Sequence, residues 1–282
     1  MNYDLNELRP RMMSVAYRML GSVADAEDVV QDAFLRLQTT AEVLSPEGFL
    51  IKTTTRRCID QLRADRRHKK YIGPWVPEPV DTKSVAENSA MAESLRQAFL
   101  MMMERLTPTE RAAYLLRIVF NYEYSEIAEV LGKTEVHVRQ IVHRAKTRLR
   151  VNQPRFQPAA SEVDALAERF VSACRAGDVH LVEQLLTDDA EVYSDGGGKV
   201  SAARVVIRGR SRSSRFLTGV FNKKRRNCEM QATTVNGDPG VVFIDDGTVI
   251  HVVSLRIEDG VKAVYMTLNP DKLLRWSVTK ID

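Results

Sequence analysis

The chain has 282 residues, of which 44% are hydrophobic and 28% are charged, and its formal net charge is +4. This length predicts about two domains, or three small ones. No apolar run is as long as a transmembrane helix, and the first residues lack the pattern of a signal peptide. The cysteines, Cys58, Cys174 and Cys228, are far apart and odd in number, which argues against a disulfide framework and a zinc site. We therefore expect a cytoplasmic location and no metal.

The first two predicted helices differ in the charge of their surfaces. Apolar residues at helical spacing predict a first helix that ends at Gly21, and Ser22 begins a second one. The second helix has an apolar face and an acidic face. The helix dipole explains acids in the first turn, Asp25 and Asp28, but Asp32 lies beyond that turn. We therefore expect the acidic face to bind a basic partner.

A third helix, beginning at Ser45-Pro46, carries most of the local positive charge. Residues 51–70 contain eight bases and two acids, whereas residues 1–50 contain four bases and eight acids. If the helix continues unbroken to Lys70, five cations lie within about 60° of one another. Such a stripe would follow a phosphate backbone, and a solvated surface face is the alternative. The five are Lys52, Arg56, Arg63, Arg67 and Lys70.

A proline-rich segment, YIGPWVPEPV, follows at residues 71–80. Its prolines predict an extended path. Trp75 offers a large apolar surface, which plain spacers rarely carry. Either Trp75 packs against a neighbouring helix or it docks into a separate domain.

Residues 107–150 have the pattern of a helix-turn-helix. Thr107-Pro108 with Glu110 predicts a capped helix, Ser125 is expected to cap a short helix that ends near Gly132, and Thr134 to cap a long basic helix. One face of the long helix is apolar and the opposite face is polar. The polar face is suited to a major groove, although the dipole also favours basic residues at a helix end.

The last third of the chain predicts a domain of a different class. Amphipathic helices are expected at 163–174 and 179–186, followed by strand-like runs that include 249–258 and 261–268, joined by Asp259-Gly260. Two helices followed by antiparallel strands suggest an α+β fold with a curved sheet. The stretch 199–227 holds ten bases and no acid. Part of this charge is expected on exposed strand faces, and its extent permits contact with DNA, with another macromolecule or with the acidic second helix.

Tyr193, Asp195 and His251 of this domain carry side chains that can act as acids or bases. Each also has a structural interpretation, because Asp195 opens a glycine turn and His251 lies on an apolar strand face. Acid–base catalysis needs a geometry that no spacing here guarantees. We therefore expect no enzymatic activity and no cofactor.

The residues AYRMLG at 16–21 and DAEDVVQDAFLRL at 25–37 resemble the polymerase-binding region of bacterial extracytoplasmic-function sigma factors. CIDQLR at 58–63 resembles the end of the region that melts and reads the −10 promoter element. SEIA at 125–128 and VHRAK at 142–146 resemble the domain that reads the −35 element. The resemblance covers about half of the chain and implies two all-α sigma domains, the second with a helix-turn-helix.

The resemblance implies roles for particular residues. The second helix would dock on the clamp helices of core RNA polymerase through Asp25, Asp28, Gln31 and Asp32. The basic third helix would contact DNA at the −10 element, where the loop from Thr39 to Ser45 would hold a flipped base. The −35 duplex would be read by Thr134, His137, Arg139, Gln140, His143 and Arg144.

The last third resembles SnoaL-like domains of the nuclear-transport-factor-two superfamily, which often enclose a conical pocket. Some of those domains are isomerases or cyclases that use an acid and a His or Tyr, and this resemblance makes Asp195, Tyr193 and His251 candidates for such a role. Together with the proline-rich segment, two further motifs resemble the sigma-J type of sigma factor, whose fused domain is taken to regulate the sigma regions. The residues concerned are Trp75 and Pro77, the turn Asp195, Gly196, Gly197, Gly198 and Lys199, and the late motif Asn269, Pro270, Asp271, Lys272 and Leu273.

These resemblances imply sigma region 2 at residues 1–70, a linker at 71–90, sigma region 4 at 91–152 and the SnoaL-like domain at 153–282. An alternative sigma factor is therefore expected, with core polymerase and promoter DNA as partners and an unknown small molecule as a further one. Two other functions stay open at this point. One is a one-component DNA-binding regulator that senses a small molecule, and the other is a SnoaL-like enzyme tethered to a DNA-binding module.

Overall fold

The computed structural model describes residues 5–64, 71–82, 94–149, 160–224 and 228–276. Internal contacts divide the chain into two units. The first, here the helical unit, comprises Met1–Arg66, Asn88–Leu95 and Phe99–Gln153. The second, the sheet unit, comprises Arg67–Glu87, Arg96–Ala98 and Pro154–Asp282.

Seven α-helices are described before residue 150, and the fourth of them spans a boundary between the two units. They are α1 (Leu5–Leu20), α2 (Val23–Thr39), α3 (Pro46–Ala64), α4 (Gln97–Met103), α5 (Pro108–Tyr114), α6 (Tyr124–Leu131) and α7 (Glu135–Leu149). A π-helical turn at Leu115–Val119 follows α5. Apolar residues at helical spacing are buried, such as Val15 and Met19 in α1 and Val29 and Ala33 in α2.

A buried arginine joins α1 to the first helices of the helix-turn-helix region. The Arg111 side chain is 4% exposed and donates to the backbone oxygens of Met19 (2.7 Å) and Met103 (2.8 Å). Its charge is balanced by Glu104 at 2.8 Å. A guanidinium can satisfy several acceptors at once, which makes such a buried cation tolerable.

The helix caps largely follow the sequence. Ser22 accepts from the Asp25 amide, and Thr107 with Glu110 forms a reciprocal capping box. The expectation that Ser125 caps α6 is wrong. The helix begins at Tyr124 with Glu123 as its N-cap, and the Glu126 carboxylate accepts from the Glu123 amide at 2.7 Å. Ser125 therefore lies inside the first turn.

Over its described residues from 160 onward, the sheet unit has three α-helices and a mixed six-stranded sheet. In chain order they are α8 (Ala160–Ala176), α9 (Val179–Leu185), β1 (Leu186–Asp195), β2 (Ile207–Arg208), α10 (Arg210–Lys224), β3 (Glu229–Val235), β4 (Asp238–Asp245), β5 (Thr248–Ile257) and β6 (Val261–Thr267). The strand order is β2-β1-β6-β5-β4-β3. Phe170 of α8, Leu217 and Phe221 of α10 and Phe243 of β4 share one apolar core with the strands.

Two sequence expectations for this unit are corrected. The strands are not all antiparallel, because β1 pairs with β6 in parallel. A long connection separates these two strands, so no hairpin fixes their relative direction. The basic stretch is not a set of strand faces either, since Arg210–Lys224 is helical. Its buried positions recur every fourth residue, at Ser213, Leu217 and Phe221. Because Ser213 is polar, the hydrophobicity of the sequence does not show this period.

Candidate nucleic-acid interface and linker-docking site

The second helix of the helix-turn-helix, α7, presents one polar face to solvent. The Thr134 hydroxyl accepts from the His137 amide at 3.3 Å and so starts the helix. Apolar residues of the opposite face are buried, including Val138, Ile141 and Ala145. All six residues expected to read the −35 element are exposed, namely Thr134, His137, Arg139, Gln140, His143 and Arg144.

A groove of about 630 Å³ runs beside this face and includes a tyrosine that the sequence reasoning missed. The Arg139 guanidinium lies 4.1 Å from the centre of the Tyr124 ring, and a cation–π contact of this kind fixes its direction. Val136 was missed as well. It is 66% exposed on the polar face, and its spacing of four from Gln140 was the available signal.

The Glu110 carboxylate ties α5 to α7. It accepts from the Thr107 amide at 3.0 Å and from the Arg148 guanidinium at 2.5 Å. Burial raises the pKa of Glu110, but these donors outweigh burial, so the pKa lies below its ordinary value. The carboxylate thereby stabilises both a helix start and the packing of the DNA-facing helix.

Three of the basic residues of α3 contact the helix-turn-helix region within the helical unit. Arg56 donates to the backbone oxygens of Val130 (2.7 Å) and Glu129 (3.3 Å), at the carboxyl end of α6. Lys52 forms an ion pair with the Glu129 carboxylate at 3.1 Å, and Arg63 donates to Thr109 at 3.3 Å. These cations therefore do not form an unoccupied stripe. Arg67 and Lys70 lie outside the described residues.

The acidic face of α2 is only partly free. Asp28 and Gln31 are exposed, whereas Asp25 is half-buried. Asp32 forms ion pairs with Arg36 (3.1 Å) and with Arg57 of α3 (2.8 Å). Asp32 thus has a base of α3 as a partner within the helical unit, and its contact with an external partner stays a prediction. Leu35, which the sequence reasoning missed, is 54% exposed close to Gln31 on the helix.

The carboxylate of Asp195 is the centre of a linker-docking site in the sheet unit. Its side chain is fully buried at the end of β1. It accepts from the Tyr71 hydroxyl (2.5 Å), the Val76 amide (2.9 Å), the Gly197 amide (3.1 Å) and the Lys272 ammonium (2.7 Å). Burial, and then the bond to Asp195, raises the pKa of Tyr71. The linker is thus held at both a side chain and a backbone amide.

Further contacts continue along the linker. Lys272 lies 4.5 Å from the Trp75 ring centre and 5.1 Å from that of Tyr71. The backbone oxygen of Pro77 accepts from Gln97 at 3.3 Å, and that of Pro79 accepts from the Trp276 indole at 2.9 Å. Of the two alternatives for Trp75, the contact with Lys272 agrees with docking onto the C-terminal domain.

The glycine turn lets the late motif and the linker come close to β1. Gly197 and Gly198 have φ values of +59° and +74°. A Cβ atom at Gly197 would lie 2.4 Å from Asn269, and one at Gly198 would lie 2.8 Å from Ile72 of the linker. Asn269 in turn donates to the Tyr71 hydroxyl at 3.0 Å.

The rest of the two motifs completes this arrangement. Lys199 forms an exposed ion pair with Asp271 at 2.6 Å, and Leu273 is buried. Pro270 begins a short 3₁₀ turn that includes Lys272, and Gly196 packs against Val200, whose backbone oxygen would lie 2.6 Å from an added Cβ. The structure therefore gathers the two motifs and the linker in one place.

The three candidates for acid–base chemistry do not share a cavity. Asp195 is surrounded by linker donors, and the Tyr193 hydroxyl donates to Glu191 at 2.7 Å. His251 is fully buried and stacks on Phe243 with 4.8 Å between ring centres. A separate cavity of about 580 Å³ lies between α8 and the strands β3 and β4, and none of the three lines it. Among the described residues, no group of three or more His, Cys, Asp or Glu side chains could hold a metal.

Comparison with family models defines the class of protein. Residues 5–68 match sigma-70 region 2, and residues 96–149 match sigma-70 region 4. The two regions are the promoter-recognition parts of a sigma factor, and their positions coincide with α1–α3 and α4–α7. None of the described helices is long and apolar enough to cross a membrane.

Relatives of nearly full length identify the family. The chain is 34% identical to the ECF RNA polymerase sigma factor SigJ of Mycobacterium tuberculosis, over 95% of this chain and 92% of that protein. It is 28% identical to the probable ECF sigma factor SigI of the same species, over 94% and 92%. The crystal structure of M. tuberculosis SigJ has a TM-score of 0.75 and 30% identity, covering 95% of this chain and 96% of that one.

The chain therefore belongs to the extracytoplasmic-function sigma factors. Like others of this family, it is an alternative sigma factor that directs RNA polymerase to promoters. The predicted fold class, two helical sigma domains and a SnoaL-like α+β domain, is confirmed by these matches.

Proposed function

We propose that this sigma factor reads a −35 element through α7 and a −10 element through α3, and that it acts in the cytoplasm. The −35 contacts are assigned to the exposed polar face of α7. Gln140 and Arg144 are suited to base edges, Arg139 to phosphates or guanine, and Val136 to a thymine methyl group. The observation that supports this assignment is that all six expected residues are exposed while the opposite face is packed.

The −10 contacts are assigned to α3 and to the loop from Thr39 to Ser45. The Leu44 side chain in this loop is completely exposed and offers an apolar surface to an unstacked base. Arg56 and Lys52 are bound to α6 in the described arrangement, so they reach DNA only after they leave it. Promoter binding therefore includes the separation of α3 from α6.

Core polymerase is assigned to the exposed side of α2. Asp28 and Gln31 supply polar contacts and Leu35 an apolar one, which together fit the composition of a protein interface. Asp25 and Asp32 belong to the same acidic face, and Asp32 exchanges its bond to Arg57 for a polymerase base in this proposal.

The C-terminal domain regulates the sigma regions in cis through the linker. Residues 71–82 connect region 2 to region 4 in the chain, and their side chains and backbone are held by Asp195, Asn236 and Lys272 of the sheet unit. A free linker could extend by about 3.3 Å per residue, whereas a docked one has a fixed length. Docking thus sets the span between the two promoter-reading regions.

The small-molecule partner is assigned to the cavity of about 580 Å³ in the sheet unit. Its floor is apolar, with Val171, Val241 and Leu255, and its rim carries Arg96 and Arg175. Pockets of this size and mixed lining suit ligands of drug-like dimensions. Saturation of the purified chain with a bound compound would raise its unfolding temperature, and variants with a filled cavity such as Ala167→Leu would not respond.

Run-off transcription with core polymerase and a cognate promoter tests the function. Initiation is expected from the full chain, and a core pull-down should require Asp28 and Leu35. Trp75→Ala and Lys199→Ala are expected to change promoter activity without unfolding either sigma region, whereas Arg169→Ala, on the exposed side of α8, should not. Absence of initiation by the full chain and by a chain ending before residue 153 would contradict the assignment. Unchanged transcription in both linker-site variants would contradict regulation in cis.

A further inference from the structure

Helix α10 carries a stripe of arginines on its solvent side. Arg212 and Arg215 are exposed one turn apart, and Arg208, just before the helix, lies four residues earlier. Gly219 and Asn222 continue the same side and are also exposed. Within the helix, the spacing of three and four places Arg212, Arg215, Gly219 and Asn222 along one face.

Much of the charge on this stripe is not neutralised. The stretch 199–227 contains ten bases and no acid. Within the described part of the chain, Arg208 is paired with Glu191 and Arg210 with Asp188, but Arg212 and Arg215 form no ion pair with an acid. Arg215 donates to the Ser211 hydroxyl at 3.1 Å. Like charges at such spacing repel, which favours a partner that carries negative charge.

The composition of the stripe distinguishes between kinds of partner. Protein interfaces usually have an apolar core with aromatic side chains. Among the α10 residues whose side chains are described, the exposed ones are Arg212, Arg215, Gly219 and Asn222, and none of them is apolar. Arginine binds phosphate oxygens with two parallel hydrogen bonds, and a Cβ atom at Gly219 would meet no atom within 4 Å. This surface fits a polyanion that can approach the helix closely.

We propose that the exposed face of α10 binds the phosphate backbone of duplex DNA without regard to sequence. The C-terminal domain would then add affinity for promoter DNA beyond that of regions 2 and 4. The inference rests on the proposed function for its DNA partner, but it does not require polymerase. Binding by the full chain alone is therefore a test that stands even if initiation fails.

Fluorescence anisotropy of the full chain on duplex DNA, between 50 and 200 mM salt, measures the number of phosphate contacts. The variant Arg212→Gln/Arg215→Gln should lower the slope of log K against log salt by about 1.8, since each phosphate contact contributes about 0.9. The decrease should be equal on a promoter and on a scrambled duplex. Arg212→Lys/Arg215→Lys should retain most of the slope, because it keeps both charges.

The matched control is Arg169→Gln/Arg204→Gln, which removes two exposed charges of the same unit that lie outside α10. Its slope is expected to stay at the wild-type value. An equal decrease in the control would mean that only net charge matters and would overturn the proposal. So would an unchanged slope in the α10 variant, or a loss of core polymerase binding with DNA binding intact. Circular dichroism verifies that the two α10 variants and the control variant are folded.

Discussion

Replacing Asp195 with asparagine is expected to release the linker from the C-terminal domain. The carboxylate accepts from four donors, and the Lys272 side chain beside it is only 11% exposed. Asparagine keeps one acceptor oxygen but points an NH₂ group at donors. Removing one member of a buried ion pair destabilises a protein by about 3–5 kcal/mol, because the other charge stays buried. A loss of stability near the lower end of this range is expected, since Lys272 still contacts the Val76 backbone oxygen and the rings of Tyr71 and Trp75.

Three measurements detect the release of the linker from the C-terminal domain. Guanidinium unfolding should show a lower midpoint for the sheet unit, and limited proteolysis should cleave within residues 71–82. Promoter activity in run-off transcription should change at the same time. Asp188→Asn, in the same strand as Asp195, is the matched control, because it breaks an ion pair with Arg210 whose side chains are 92% and 40% exposed. Exposed pairs contribute about 1 kcal/mol or less, so this variant should keep the wild-type cleavage pattern.

The reasoning would be refuted if Asp195→Asn kept the wild-type midpoint and resisted cleavage in the linker. A milder variant, Tyr71→Phe, covers the case in which Asp195→Asn does not fold. It removes a single donor to the carboxylate, and a loss of about 1 kcal/mol is expected. A linker that became no more sensitive to protease in this variant would also count against docking through Asp195.

Three further predictions concern other parts of the chain. Arg56→Ala should lower the stability of the helical unit by about 1–2 kcal/mol in the absence of DNA, because two carbonyl acceptors at the end of α6 lose a charged donor; an unchanged urea midpoint would contradict this. Burial raises the pKa of Asp238 from 3.8 to about 7 despite nearby arginines. Between these values the folded chain binds more protons than the unfolded one, so stability should fall as pH rises through that window, and Asp238→Asn should abolish this fall in pH-dependent melting curves. Gly132→Ala should cost about 1 kcal/mol, since Gly132 ends α6 at φ +62°, and a melting temperature equal to that of the wild type would exclude strain there.

Local features of the sequence were sufficient to predict most of the elements. The Thr107 capping box, the Gly21 and Gly132 helix ends and the Asp259-Gly260 hairpin depend on residues within a few positions of one another. Helix α10 escaped prediction because two of its buried positions, Ser213 and Ser214, are serines and so do not mark an apolar face. The Ser214 hydroxyl donates to the Ser211 backbone oxygen within the helix. The buried positions of α10 recur at helical spacing, but their side chains are not all apolar.

Contacts between distant segments could be anticipated only in part. The glycine turn, the Trp-Pro linker and the late motif were singled out together, but not the atoms that join them. The bond from the Val76 amide to Asp195 spans 119 residues of sequence, and no periodicity encodes such a pairing. The same holds for Arg56, whose charge predicts a phosphate partner and whose observed acceptors are backbone oxygens of α6.

If α3 binds DNA as proposed, those oxygens make the carboxyl end of α6 a competitor of DNA for Arg56 and Lys52 within the same chain. A helix carboxyl end carries about half a negative charge, and the Glu129 carboxylate adds a full one beside it. The carboxyl end of α6 releases no counterions when it binds Arg56 and Lys52, whereas DNA releases condensed counterions when it binds cations. Rising ionic strength therefore weakens the external competitor far more than the internal one. Molecules in which α3 still binds α6 should therefore bind random DNA least at the salt concentrations where specific promoters remain bound.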